Sequence, residues 1–170
     1  MKNILKKKSF KKHKFTKYNK RPAIFLDRDG TINYDNGYTY KFNEFKFRPY
    51  VIKGLKYLSK KKYLIFIVTN QAGIAKAKFR ISDLFKLHRK LKNYLHSKNI
   101  IINDIEYCPY HPQAKIKLYR KKTNLRKPGN LMIKKIFKKW CINHKYSFMI
   151  GDRLSDKIAA KKSRLYFEYV

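Results

Sequence analysis

A short apolar run, Ala23-Ile24-Phe25-Leu26, passes directly into Asp27-Arg28-Asp29-Gly30-Thr31, and this junction constrains the fold more than any other part of the chain. Four consecutive apolar residues read as a strand buried on both faces, the kind found in parallel sheets covered by helices. Ligands of such sheets collect beyond the carboxyl ends of the strands, so both acids would emerge where chemistry is done. Alternate residues of an extended segment face the same way, which predicts that Asp27 and Asp29 share one side. Two carboxylates so close repel each other, and a divalent cation is the common remedy.

Downstream, strand and helix patterns alternate. Tyr50 to Leu58 has helical spacing and is entered through Pro49. Tyr63 to Val68 reads as a second apolar strand ending at Thr69. Ser82 is the expected N-cap of a helix carrying Leu84, Phe85, Leu87, His88, Leu91 and Leu95. A third strand is expected within Ile100 to Tyr107, followed by an irregular basic stretch to Lys127. Leu131, Met132, Ile133, Ile136, Phe137 and Trp140 share a helix, and Ser147 to Ile150 a fourth strand. A short helix from Ser155 to about Lys162 and a last strand near Leu165 to Tyr169 follow. Strands separated by helices predict an α/β fold, a three-layer Rossmann-like and mostly parallel sheet. Between Asp27 and the second strand there is room for a loop and one helix, but not for a large inserted cap domain.

With 170 residues and a hydrophobic fraction of 44%, one domain with a single substantial core is expected over residues 22–170. Residues 1–21 are lysine-rich, carry no acid and read as a disordered basic tail. No apolar run is long enough to span a bilayer, which predicts no membrane partner. Cys108 and Cys141 are too few for a disulfide framework, and a reducing, cytoplasmic setting is the default. The net charge of +34 would ordinarily point to a polyanion. The basic residues are mostly lysine, spread along the chain among Asn, Ile, Phe and Tyr, all encoded by AT-rich codons. Compositional drift therefore accounts for the excess, and nucleic acid is expected to bind only weakly and non-specifically. A monomer is expected.

Three further polar clusters fall on the edge where Asp27 and Asp29 emerge. The second strand runs into Thr69-Asn70-Gln71-Ala72-Gly73, the long loop ends in Arg126-Lys127-Pro128-Gly129, and the fourth strand runs into Gly151-Asp152-Arg153-Leu154-Ser155-Asp156. A carboxylate nucleophile, a second carboxyl for proton transfer, a hydroxyl, a cation and acids able to hold Mg²⁺ suit attack on a phosphoryl group.

In this order, Asp-x-Asp-Gly-Thr, a strand-end Thr, a Lys and Gly-Asp-x-x-x-Asp resemble the four-part signature of haloacid dehalogenase-like phosphatases. The likeness runs from about Pro22 to the C-terminus. Gly37-Tyr38, Gly73-Ile74-Ala75 with Lys78-Phe79, Tyr107-Cys108-Pro109 with His111-Pro112-Gln113, and Arg126-Lys127-Pro128 are similar to the branch that removes one phosphate from a heptose bisphosphate on the way to lipopolysaccharide core. The resemblance implies that Asp27 is the nucleophile forming an aspartyl-phosphate. Asp29 would protonate the leaving sugar oxygen and then activate water, while Thr69 and Lys127 hold the transferring group. Asp27, the backbone carbonyl of Asp29 and Asp152 would bind Mg²⁺, with Asp156 supporting from behind. Arg126 would contact the phosphate that is not cleaved. Asp35, Asn36, Gly37 and Tyr38, with Asn70, Gln71, Ala72 and Arg153, match the family's substrate-contact segments.

The chain departs from that branch in its long loop. Of the usual zinc ligands only Cys108 remains, with Tyr110, Thr123 and Leu125 at the other positions and His111 one place out of register. A tetrahedral site wants four sulfur or nitrogen ligands, so no zinc is expected. Alternatives left open are a histidinol-phosphate phosphatase, a nucleic-acid 3′-phosphatase, and a basic nucleic-acid-binding protein with a vestigial site.

Overall fold

The computed structural model describes residues 20–170, and most of the expected basic tail lies outside them. Arg21, placed in that tail by the sequence reading, is already part of the fold. It pairs with Ile142, and its Nε donates to the Lys62 carbonyl at 2.7 Å.

Five strands form one sheet: β1 (Ala23–Leu26), β2 (Leu64–Asn70), β3 (Ile102–Cys108), β4 (Phe148–Gly151) and β5 (Tyr166–Tyr169). Their order is β3-β2-β1-β4-β5, and every pair is parallel rather than merely most of them. The chain moves outward from β1 to β3 on one side, then returns to place β4 against the other side of β1. The two strands flanking this reversal are β1 and β4, where an open α/β sheet leaves a crevice at its carboxyl edge.

The helices are α1 (Val51–Lys60), a four-residue turn α2 (Ala72–Ala75), α3 (Ile81–Ser97), α4 (Leu131–Lys139) and α5 (Leu154–Lys162). They cover both sheet faces, because the β1 and β2 side chains alternate between two cores. Ala23, Phe25, Phe66 and Val68 pack with Met132, Ile133 and Ile136 of α4 and Ala159 and Ala160 of α5. Ile24, Leu26, Ile65 and Ile67 pack with Leu55 of α1 and Leu87, Leu91 and Leu95 of α3. Each such fully buried side chain contributes roughly 1.5–3 kcal/mol of transfer free energy. That burial is why four residues suffice for β1.

Two local expectations are corrected. Ser82 is not the N-cap of α3. The helix begins two residues earlier, at Ile81 with Arg80 as its N-cap, and the Asp83 carboxylate in the first turn accepts the Arg80 N–H at 3.0 Å, where it also suits the helix dipole. The turn α2 has no counterpart in the sequence reading. Among the described residues, no helix is long and apolar enough to cross a membrane.

Candidate active site

A cavity of about 440 Å³ opens at the carboxyl edge of β1, β2 and β4. Asp27, Asp29, Asp35, Gly37, Tyr38, Thr69, Asn70, Gln71, Ala72, Arg126, Lys127 and Arg153 line it, so nearly the whole expected set converges. Asn36 is exposed and lies outside the lining, while Asp152 and Asp156 stand behind the wall. Gly73, Lys76, His111 and Ser155 also line it, and none was given a role in the phosphoryl transfer from the sequence.

Asp27 follows directly from β1, and its own N–H donates to the Ile150 carbonyl of β4 at 3.1 Å, which fixes its position at the crevice. Its Oδ1 accepts the Arg28 N–H at 2.7 Å and lies 2.8 Å from Lys127 Nζ. Its Oδ2 is left for a metal or an electrophile. Burial pushes the Asp27 carboxyl up to about 6; Lys127 opposes that rise and the neighbouring Asp156 carboxylate adds to it.

Lys127, itself 3% exposed, also lies 2.6 Å from Asp156, which is fully buried. Asp156 Oδ2 accepts the Arg153 N–H at 3.0 Å, tying the start of α5 to the site. One oxygen each from Asp27, Asp152 and Asp156 lie within 4.8 Å of one another. Desolvation raises the Asp152 carboxyl above its ordinary range, and its Oδ1 is buried without a hydrogen-bond partner among the described residues. Gly30, at φ +85°, allows this approach, since a Cβ there would overlap the Asp152 carboxylate. Hard oxygen donors, crowded and one of them unpartnered, fit a small divalent cation such as Mg²⁺.

The crowding that calls for a cation is therefore not between Asp27 and Asp29, as the sequence suggested. Asp29 is neutralised by its neighbour. Arg28 Nη2 donates to Asp29 Oδ1 and Oδ2 at 2.9 and 2.8 Å, and Arg28 Nε to Oδ1 at 3.1 Å. Asn33 Nδ2 donates to Oδ1 at 3.0 Å and Gln71 Nε2 to Oδ2 at 2.8 Å. Arg28 is completely buried. The same Nη2 also reaches the Thr39 carbonyl at 2.8 Å and Gln71 Oε1 at 3.2 Å, and Nη1 reaches His88 Nε2 at 3.3 Å. An arginine can only donate, so His88 Nε2 accepts and the ring is neutral with its proton on Nδ1. Burial, and secondarily the Arg28 charge, push His88 down to about 3.

Gln71 lines the cavity, and its amide also braces the site from within. Its amide is spent between Asp29, Arg28 and Thr69, whose Oγ1 accepts from Gln71 Nε2 at 2.8 Å. That leaves the Thr69 hydroxyl proton free for the cavity. Asn70 is similarly engaged: it accepts the Lys127 N–H at 3.0 Å and donates to the Lys127 carbonyl at 3.1 Å, buckling the Arg126-Lys127 segment to β2. Arg153 Nη2 pairs with Asp35 at 2.7 Å across the cavity mouth.

Arg28 and Asn33 were not singled out in the sequence, and His88 was placed only as a residue of the α3 helix. Alternation put Arg28 on the side away from the acids, and only the end of β1 at Leu26 lets the turn fold it back. In the loop, Cys108 is buried and its Sγ lies 3.8 Å from the Tyr110 carbonyl. Among the described residues, Asp27, Asp152 and Asp156 are the one group of three or more side chains placed to hold a metal ion.

A family model described as polynucleotide kinase 3 phosphatase matches residues 23–167. The chain is 38% identical over 142 residues to D-glycero-beta-D-manno-heptose-1,7-bisphosphate 7-phosphatase of Rhodopseudomonas palustris, covering 84% of this chain and 79% of the relative. It is also 38% identical over 139 residues to the Escherichia coli protein of the same name, covering 82% and 73%. A crystal structure of D,D-heptose 1,7-bisphosphate phosphatase from B. bronchiseptica, complexed with magnesium and phosphate, superposes with a TM-score of 0.75 at 25% identity. That match covers 86% of this chain and 78% of the other.

Proposed function

The chain belongs to the polynucleotide kinase 3 phosphatase family and is a haloacid dehalogenase-like phosphatase, and we propose that it removes the 7-phosphate of D-glycero-D-manno-heptose 1,7-bisphosphate with Mg²⁺ as cofactor. The observation carrying this reading is the posture of Asp27. One oxygen is held by Arg28 N–H and Lys127 and the other faces the cavity, with Asp152 and Asp156 close behind.

Asp27 attacks phosphorus in line with the scissile bond. An oxygen–phosphorus bond forms to Asp27, the bond to the sugar oxygen breaks, and Asp29 supplies the proton that oxygen needs. Lys127 Nζ and the Thr69 hydroxyl donate to the phosphoryl oxygens as charge spreads over them. Asp29, now a base, takes a proton from water. The water oxygen attacks phosphorus, the bond to Asp27 breaks, and phosphate leaves with the carboxylate restored. Asp27, Asp152 and the Asp29 backbone carbonyl would hold Mg²⁺, which neutralises charge on the transferring group. The pathway served would be the synthesis of ADP-heptose for lipopolysaccharide core.

The test is phosphate release from heptose 1,7-bisphosphate with Mg²⁺ and with EDTA, beside histidinol phosphate and a 3′-phosphorylated oligonucleotide. Fastest turnover of the heptose substrate, lost in EDTA, is expected. Faster turnover of either competitor overturns the substrate assignment.

A further inference from the structure

A separate cavity of about 450 Å³ lies between α3 and the edge strand β3. Phe85, His88, Arg89, Lys92, Ile105 and Tyr107 line it, and it shares no lining residue with the cavity around Asp27. Its wall carries a donor that the fold does not use. His88 is 7% exposed, and its Nε2 accepts from Arg28 Nη1 at 3.3 Å, which leaves the ring proton on Nδ1. That N–H has no acceptor among the described residues. A nearly enclosed donor in this state gains from any acceptor brought into the cavity.

The charge at the rim is unbalanced as well. Arg89 and Lys92 are exposed, and among the described residues neither has a carboxylate within ion-pair distance. The acids nearby are engaged elsewhere. Asp83 faces Lys86 at 4.0 Å. Asp104 lines the cavity, but its Oδ2 accepts from Lys139 at 2.6 Å and from Trp140 at 3.4 Å, and its Oδ1 accepts the Ile105 N–H at 2.9 Å. An anion is therefore favoured here. The remaining wall is aromatic and apolar. The exposed Phe85 ring meets Tyr107 edge to face at 5.6 Å, and Tyr107 meets the His88 ring at 6.4 Å. With Ile105 beside them, these rings offer a surface on which another flat ring can pack.

We propose that this cavity is a second binding site, for a small anion with a flat aromatic body. The anionic head accepts from His88 Nδ1–H between Arg89 and Lys92, and the ring lies against Phe85, Ile105 and Tyr107. The site is one hydrogen bond away from the guanidinium that holds Asp29, so its occupant polarises His88 and strengthens the grip on Arg28. The inference does not depend on which phosphate ester the protein cleaves.

The test is ¹⁵N NMR of the full chain with labelled histidine, in EDTA, titrated with 4-hydroxyphenylacetate and separately with adenosine 5′-monophosphate. His88→Gln identifies the His88 signals. At least one probe should shift His88 Nδ1 more than it shifts any of the other four histidines, with a Kd of about 1 mM or tighter. A response to the first probe alone assigns a carboxylate head, and a response to the second alone a phosphate head. Acetate, which lacks the ring, and 4-hydroxybenzyl alcohol, which lacks the charge, should bind about 10-fold more weakly or worse. The double variant Arg89→Ser, Lys92→Ser changes only exposed side chains; it should weaken the probe about 10-fold and leave turnover within about twofold of wild type. Movement of His111 without His88 places the probe in the cavity around Asp27 and overturns the second site. A His88 shift no larger than acetate gives, or a Kd in the double variant within about twofold of wild type, overturns it too.

Discussion

Arg28 grips its own neighbour: the Nη2 group lies 2.8 Å from Asp29 Oδ2 and 2.9 Å from Oδ1, within a guanidinium that has no contact with solvent. The proposed acid–base group is therefore oriented by a buried cation rather than by the metal centre. Arg28→Met leaves the Asp29 carboxylate, Gln71 Oε1 and the Thr39 carbonyl short of the donor they use in the core. Losing one side of such a pair should destabilise the protein by about 3 kcal/mol, measured by urea unfolding. Turnover of the folded fraction should fall, chiefly in kcat, because Asp29 is no longer held in position. An unchanged kcat in the folded variant would show that Asp29 does not depend on Arg28 for its role.

His88 receives the far side of the same guanidinium and is held neutral. With its pKa pushed to about 3 in the fold, against about 6.5 when unfolded, it binds a proton more readily in the unfolded chain. Its contribution to stability is thus full above about pH 6.5 and is lost as pH falls toward 3. His88→Gln keeps an acceptor for Arg28 but cannot titrate. Between pH 4 and 6, wild type should lose about 1.4 kcal/mol per pH unit more than the variant, since one proton is involved. Parallel stability curves would contradict a neutral buried His88.

Much of this architecture was legible in the sequence because burial writes itself as composition. The apolar runs at Ala23–Leu26 and Leu64–Val68 are buried on both faces, and the α3 leucines recur at helical spacing because one stripe meets the sheet. The acids and cations at strand ends were legible because a parallel sheet delivers them to one edge. The ring around Asp29 was not. Arg28 and His88 are separated by 60 residues, and nothing local in either indicates that they meet. The bonds from the Gln71 amide to Asp29 and from the Asn70 amide to the Lys127 backbone were not legible either, because those partners lie 42 and 57 residues away in the chain. Ser82 is not the cap because the helix already starts at Ile81, where Asp83, three residues after Arg80, accepts the Arg80 N–H.

Mg²⁺ and protons should compete for Asp27. Burial raises this carboxyl to about 6 in the metal-free protein, so it is ionised at neutral pH and takes up a proton below that value. Metal binding requires the ionised form, so affinity falls as pH drops through 6. Calorimetric titration should give a dissociation constant about tenfold weaker at pH 5 than at pH 7.5, with proton release on binding at the lower pH. An affinity independent of pH across this range would place the ion elsewhere.

Gly30 keeps the acid cluster together by lacking a side chain. Gly30→Ala must hold φ +85° with a Cβ aimed at the Asp152 carboxylate. The backbone term alone costs about 1–2 kcal/mol, and displacement of Asp152 should weaken Mg²⁺ binding as well. Thermal melting with and without Mg²⁺ should show both a lower Tm and a smaller metal-induced shift. A variant with the wild-type metal shift would mean that Asp152 is not a ligand.

The central claim is that Asp27 carries the phosphoryl group during turnover. Rapid mixing with substrate and Mg²⁺, acid quenching and peptide mass spectrometry test it directly. Phosphate should be found on Asp27 in the wild-type protein and be absent from Asp27→Asn, which should also have no turnover. Undiminished phosphate release by Asp27→Asn, or trapped phosphate on any other residue, would contradict the account.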